Sequence, residues 1–397
     1  GTPPQAAQST PSPAPSVDTS GFQQNMCISN VFRMNSVCQT PFGYYLQSEG
    51  IVYALDPQTK RMAPVCSRPE CRHGDEHCNG WINSLFLSYY NGMVYYANSD
   101  SEDCWHLYAM QPDGTGHRKI QSIQFEATGM IHSYQPMLYN GTVYFIDSGA
   151  LYSVALGADI HTAVRLLAED STGKLESSWK FWADDSAAYA MNHVLRADGV
   201  YQDVLYQLGT DEAGTKELWR SSQTQVPQQR DSCSSWYISH GQLYYYASGN
   251  DVWRIDLNSG QAHQLIGLTG VLESGTAVFS QSAIAVLNDT PDPQWGPQSG
   301  YRSGGDTLRI YDYTGVLRRE ISLSAIYQAY PDVAHCTMVF ADDSSVYLLA
   351  YRGMEHSPSS VFYQISQDSG ALNEIAGWIG SALNPHTPDW QEEEGVR

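Results

Sequence analysis

Seven copies of one strand-and-turn unit, a heavy use of tyrosine (27 residues) and tryptophan (10 residues), and no long amphipathic helical pattern point to an all-β fold. The architecture they predict is a β-propeller of seven blades. The most regular part of the unit is an apolar–aromatic–x–apolar strand that ends in a polar turn. It occurs at Val52-Tyr53-Ala54-Leu55-Asp56, Leu107-Tyr108-Ala109-Met110, Leu151-Tyr152-Ser153-Val154 and Leu205-Tyr206-Gln207-Leu208. It returns at Val252-Trp253-Arg254-Ile255-Asp256, Leu308-Arg309-Ile310-Tyr311-Asp312 and Phe362-Tyr363-Gln364-Ile365. From Tyr53 to Tyr363 the intervals are 55, 44, 54, 47, 56 and 54 residues, the length of a four-stranded blade.

A second strand precedes each anchor, behind a turn. Asn91-Gly92, Asn140-Gly141, His240-Gly241 and Asp343-Ser344 introduce it in four units. Asn-Gly supplies the positive φ that a two-residue hairpin needs. After the anchor come Asp113-Gly114-Thr115-Gly116, Asn258-Ser259-Gly260, Thr314-Gly315 and Asp368-Ser369-Gly370, each leading to an outer strand. The fourth unit is the weakest, because Ala187-Ala188-Tyr189-Ala190 stands where a clear strand is expected, which leaves six or eight blades open. Ring closure has two candidates: a strand near Cys27 completing the last blade, or Gly377-Trp378-Ile379 joining the first.

Three segments follow. Residues 1–21 are rich in Pro, Ser and Thr, with Asp18 as the only charge, and read as a disordered tether. Residues 22–383 form the propeller, and 384–397, with Glu392-Glu393-Glu394, an acidic tail. Gly1 in place of an initiator methionine reads as a processed or added first residue. No stretch approaches the ~18 consecutive apolar residues of a membrane-spanning helix. With 21 basic residues against 42 acidic ones, and a net charge of -21, the chain lacks the footprint that nucleic acid or an anionic membrane requires.

The turns Met110-Gln111-Pro112-Asp113-Gly114-Thr115 and Ile255-Asp256-Leu257-Asn258-Ser259-Gly260 carry a family likeness. The units resemble TolB-like and YWTD-like propellers. Over roughly residues 25 to 380 the chain is similar to uncharacterised lipoprotein propellers of Gram-positive gut anaerobes, a domain of unknown function (DUF5050-like). The N-terminal tether resembles the spacer behind the lipid-modified cysteine of such proteins. What this resemblance implies is a propeller fold and an extracellular, envelope-anchored location, not a reaction.

The most distinctive local feature is Cys66-Ser67-Arg68-Pro69-Glu70-Cys71-Arg72-His73-Gly74-Asp75-Glu76-His77-Cys78. Its C-x4-C-x-H-x4-C spacing lets one loop supply Cys66, Cys71, His73 and Cys78 to a tetrahedral, structural zinc, with His77 as the alternative nitrogen ligand. A disulfide among Cys66, Cys71 and Cys78 is the competing reading, with free thiols a third. Cys27 and Cys38 are candidates for a pair, whereas Cys233 and Cys336 read as core residues.

No nucleophile-elbow, Walker, dinucleotide or His-Glu-x-x-His motif is present. Histidines outside residues 73–77 read as exposed or satisfied, and Asp184-Asp185 and Asp342-Asp343 as turn residues. The long insertion 288–301 brings Trp295 and Tyr301, which are placed either to stack on a sugar or peptide or to pack on the rim. The functional expectation is a monomeric, non-catalytic surface module that binds a protein, peptide or glycan. The alternative is a polysaccharide hydrolase or lyase with carboxylates in the central funnel.

Overall fold

The computed structural model describes residues 37–385 except 49, 74–75, 83, 85, 101–103, 126–135, 169–177, 185, 196–200, 222–234, 248–250, 268–274, 289–305, 354–357 and 380–381. Seven antiparallel sheets, each built from consecutive strands, form a seven-bladed propeller. Blade 1 is β1 (Val37–Thr40), β2 (Gly43–Ser48), β3 (Ile51–Asp56) and β4 (Arg61–Pro64). Blade 2 is β5 (Leu87–Tyr90), β6 (Met93–Ser99), β7 (Trp105–Met110) and β8 (Arg118–Ser122). Blade 3 is β9 (Met137–Tyr139), β10 (Thr142–Asp147), β11 (Ala150–Ala155) and β12 (Val164–Leu167). Blade 4 is β13 (Ser178–Ala183), β14 (Ala188–Leu195), β15 (Tyr201–Gln207) and β16 (Lys216–Arg220). Blade 5 is β17 (Trp236–Ser239), β18 (Gln242–Ala247), β19 (Asp251–Asp256) and β20 (Ala262–Ile266). Blade 6 is β21 (Gly275–Phe279), β22 (Ile284–Asn288), β23 (Thr307–Tyr311) and β24 (Leu317–Ser322). Blade 7 has five strands: β25 (His335–Ala341), β26 (Ser345–Tyr351), β27 (Ser360–Ser366), β28 (Leu372–Ile379) and β29 (Ala382–Pro385).

Each of the seven anchors lies on the third strand of its blade. The predicted hairpin turns have the expected geometry: Asn91, Asn140 and His240 take φ of 47°, 48° and 51°, each followed by a left-handed glycine. The fourth unit is corrected. Its Ala-rich segment is the eight-residue β14, paired along its length with β13 and β15. Ala188 and Ala190 are buried in one apolar cluster with Trp179 and Tyr144.

Side chains alternate between the two faces of every sheet, and each face packs against the next blade. In blade 1, Tyr44, Leu46, Ile51, Tyr53 and Leu55 join Phe340, Tyr347 and Phe362 of blade 7. Their neighbours Cys38, Tyr45 and Val52 join Tyr89, Val94 and Tyr96 of blade 2. Cys38 and Cys336 are thus buried core thiols, while Cys27 and Cys233 lie outside the described residues.

One of the two closure expectations is corrected: Gly377-Trp378-Ile379 belongs to β28 of the last blade and does not join the first. The other, a strand near Cys27, lies outside the described residues. Among the described residues no strand is shared between blades 1 and 7. The seam is held by the apolar cluster above and by polar contacts. Tyr44 donates to Asp342 Oδ2 at 2.9 Å, Gln364 Nε2 to the Pro57 carbonyl at 3.0 Å, and Lys60 Nζ to Asn373 Oδ1 at 3.0 Å.

The two faces of the ring differ. Turns between first and second strands, and between third and fourth, gather at one face and lock to one another. Tyr45 donates to the Pro112 carbonyl at 2.8 Å, Tyr139 to the Asp184 carbonyl at 2.6 Å, and Ser282 to Asp343 Oδ1 at 3.0 Å. Connections between second and third strands, and between blades, leave from the opposite face. At that face β22 ends and β23 begins.

Candidate metal centre

In blades 2–5 and 7 the outer strand carries a β-bulge opposite the step into the anchor aromatic. The extra residue is aliphatic each time: Ile120, Leu166, Leu218, Leu265 and Ile375. Blade 1 opens the same point into an insertion. Tyr53 faces Pro64, and Val65 donates to the Val52 carbonyl at 3.0 Å, as a bulge residue would. Residues 66–79 then intervene before pairing resumes. Val52 donates to the Gly80 carbonyl at 2.9 Å, Trp81 bridges Ile51, and Ile82 donates to the Gly50 carbonyl. In blade 2 the Ile123 amide meets the Trp105 carbonyl in the equivalent way.

The insertion holds the cysteine–histidine motif. One Sγ each from Cys66, Cys71 and Cys78 and a ring nitrogen of His73 lie within 4.8 Å of one another. Zinc–sulfur bonds of about 2.3 Å set sulfurs about 3.8 Å apart around a tetrahedral ion, so this cluster is of the size such an ion needs. These four residues could hold a metal ion. Cys66, Cys71 and Cys78 stand as separate thiols. His73, at φ 52°, turns the chain so that its Nδ1 lies 3.5 Å from Cys78 Sγ. His77 is not in the cluster; its carbonyl instead accepts from the Arg68 guanidinium.

The surroundings act differently on Cys66 and Cys78. Burial pushes the Cys66 thiol up, but hydrogen bonds from the Arg68 backbone and guanidinium, the Asn79 amide and Cys71 outweigh it and bring it to about 7. Burial pushes Cys78 up to about 12 against the Gly80 amide, which donates to its sulfur at 3.3 Å. Burial, and secondly the Arg68 charge, holds His73 below its ordinary value, so the ring is a neutral nitrogen donor. Arg68 Nη2 lies 3.6 Å from Cys71 Sγ. Three thiolates around a divalent ion leave one net negative charge, and this guanidinium balances it.

The insertion is seated on blade 2. His117 Nε2 meets the Asn79 carbonyl at 2.8 Å while its Nδ1 meets the Tyr96 hydroxyl at 2.8 Å. Gly114, at φ +76°, brings its backbone so close that a Cβ would stand 2.7 Å from the Asn79 carbonyl.

Other sequence candidates fall elsewhere. Trp295 and Tyr301 lie outside the described residues. Asp184 and Asp342 close turns: Asp342 Oδ1 accepts from the Ser344 and Ser345 amides at 2.8 and 2.7 Å, and Asp184 Oδ1 from Ser186 and Ala187 at 2.8 and 2.9 Å. Sequence reasoning did not single out His106, which is buried with both ring nitrogens engaged. Nε2 meets Asp100 Oδ2 at 2.6 Å and Nδ1 meets Ser122 Oγ at 3.1 Å. This string ties β7 to β8 and to the preceding connection, as a satisfied core histidine does.

No family model matches the chain, and no curated protein does. Among solved structures it is similar to a prolyl endopeptidase from a study of two such enzymes and their inter-domain dynamics. The TM-score is 0.51 at 12% identity, covering 87% of this chain and 48% of that one. This chain therefore spans about half the length of that protein. The likeness shows the propeller fold. Saccharomyces cerevisiae Sqt1 (TM-score 0.46, 9% identity, 90% and 87% covered) and the computationally designed protein Ika8 (0.43, 11%, 90% and 96%) are also similar.

Proposed function

We propose that this propeller is a non-catalytic binding module held at the outer cell surface by a lipid anchor, a monomer that takes a protein, peptide or glycan ligand. Its kinship on this reading is with the uncharacterised lipoprotein propellers that its turns resemble. Cys66, Cys71, His73 and Cys78 hold a structural zinc, with all four positions filled by protein and none open to substrate. The observation that carries the binding reading is the asymmetry of the two faces. One is closed by short, mutually bonded turns. At the other, β22 ends and β23 begins, and the stretch of sequence between them carries Trp295 and Tyr301. Ligand recognition concentrates on such connections, positioned by a rigid scaffold.

A peptide and glycan array probed with the whole chain tests this. We expect a defined ligand, and a loss of affinity of about 10-fold or more in the W295A/Y301A variant, as removal of stacking aromatics from a binding centre causes. An array with no signal above background overturns the reading. Release of new reducing ends from a polysaccharide overturns it too, in favour of a hydrolase or lyase.

A further inference from the structure

The metal cluster lies on a particular side of blade 1. On the outer edge of that blade, Val65 and Ile82 flank the insertion and face blade 2. Cys66 and Cys78, each only 4% exposed, face the other way, with Cys71 and Trp81 packed beside them. They belong to the apolar cluster that contains Val339, Phe340, Tyr347 and Phe362 of blade 7. The three cysteines therefore belong to the cluster that fills the junction of the first and last blades.

That junction is unlike the other six. Every other pair of neighbouring blades is joined by the chain, so a transient separation leaves them at high effective concentration. Blades 1 and 7 lie at opposite ends of the described chain and share no strand among the described residues. Among the described residues, noncovalent contacts alone close the ring there. Without an ion, no covalent or coordinate bond links the three sulfurs and the imidazole that lie within 4.8 Å of one another. With one, they form a rigid unit whose inner surface is part of the seam.

We propose that the Cys66–Cys71–His73–Cys78 site is the clasp of the ring: its metal holds the insertion against the seam and so sets how firmly blades 1 and 7 stay closed. This rests on the zinc reading above. Occupancy of the site governs opening between the first and last blades and leaves the opposite side of the ring unaffected. The insertion also reaches blade 2, where the Asn79 carbonyl meets His117 Nε2.

Hydrogen exchange on the full chain, as zinc-loaded protein, after chelation and after zinc is restored, tests this. We expect chelation to raise exchange by about 10-fold or more in β1–β3 and β26–β28, leaving β10–β19 unchanged, with reversal by zinc. His77→Ala should behave as the unsubstituted chain, and Cys71→Ser should exchange as the chelated protein does. If Cys71→Ser does not fold, the chelation series alone decides. One zinc per chain with faster exchange confined to residues 66–79 overturns the clasp and spares the zinc reading. A uniform rise across all blades overturns the clasp as well. Protein that takes up no zinc at all removes both.

Discussion

At the scale of single residues, Arg68 shows how the proposed metal site would depend on a side chain outside its four ligands. Its guanidinium reaches Cys71 Sγ and the His77 carbonyl together, so it is placed to balance thiolate charge and to tie two parts of the insertion to each other. Outer-shell partners of this kind commonly carry 10–100-fold in metal affinity, and we expect Arg68→Ala to weaken zinc binding by about that factor. Competition with a chromophoric chelator measures it. Arg68→Lys should recover part of the loss, since it returns the charge without the planar fork. An affinity unchanged in Arg68→Ala would show that the guanidinium has no part in the site. The ligand set was legible in the sequence as far as its spacing, because cysteines and a histidine at short intervals can meet wherever a loop turns back. The same spacing named His73, with His77 as the alternative, and His73 is the histidine in the cluster. What the spacing does not record is the left-handed backbone at His73.

At the scale of the element, the turn that ends the third strand of blades 1, 5 and 6 is a small electrostatic device. Asp256 Oδ1 accepts from the Asn258 and Ser259 amides, and Asp56 and Asp312 make the same arrangement in their own blades. For Asp256, the Ser259 amide first, then the Gln242 side chain and Ser259 hydroxyl, hold the carboxyl down at about 2. Asp56 and Asp312 are lowered too, chiefly by the Thr59 and Thr314 hydroxyls. A carboxyl lowered by folding stabilises the native state above its unfolded value of about 3.9, and that contribution fades as pH falls toward the folded value. We therefore expect the melting temperature to decline between about pH 4 and pH 2. Asp256→Asn should reduce that decline, because the amide keeps the turn but no longer titrates. Identical pH profiles for variant and parent would argue against the idea. These turns were plain in the sequence, since Asp followed by Ser, Thr or Gly closes its own backbone. Strand β14 was not, because alanine looks neutral until the tryptophan that it is buried with is known.

At the scale of the whole molecule, the blade count was legible because a repeat announces itself seven times, whereas ring closure happens once and joins residues far apart. Tyr44 and Asp342 are separated by 298 positions, and no local pattern links them. Asp342 accepts from Tyr44 at 2.9 Å and from Tyr347 at 3.1 Å while also closing its own turn, so one carboxylate organises the polar side of the seam. Burial, and then the charge of Asp342, pushes the Tyr44 hydroxyl well above its ordinary value, which keeps it a donor at any physiological pH. A hydrogen bond to a charged acceptor contributes more than one to a neutral carbonyl. Tyr139, which donates to the Asp184 carbonyl across the chain-connected junction of blades 3 and 4, is the natural comparison. We expect Tyr44→Phe to cost about 1.5–3 kcal/mol in urea unfolding, and Tyr139→Phe about 0.5–1.5 kcal/mol. The lost stability should appear mainly as faster unfolding, because contacts between chain ends form late when they must close the longest loop in the molecule. Equal costs in the two variants would mean that the unconnected seam is no more dependent on its polar contacts than a junction the chain already holds together.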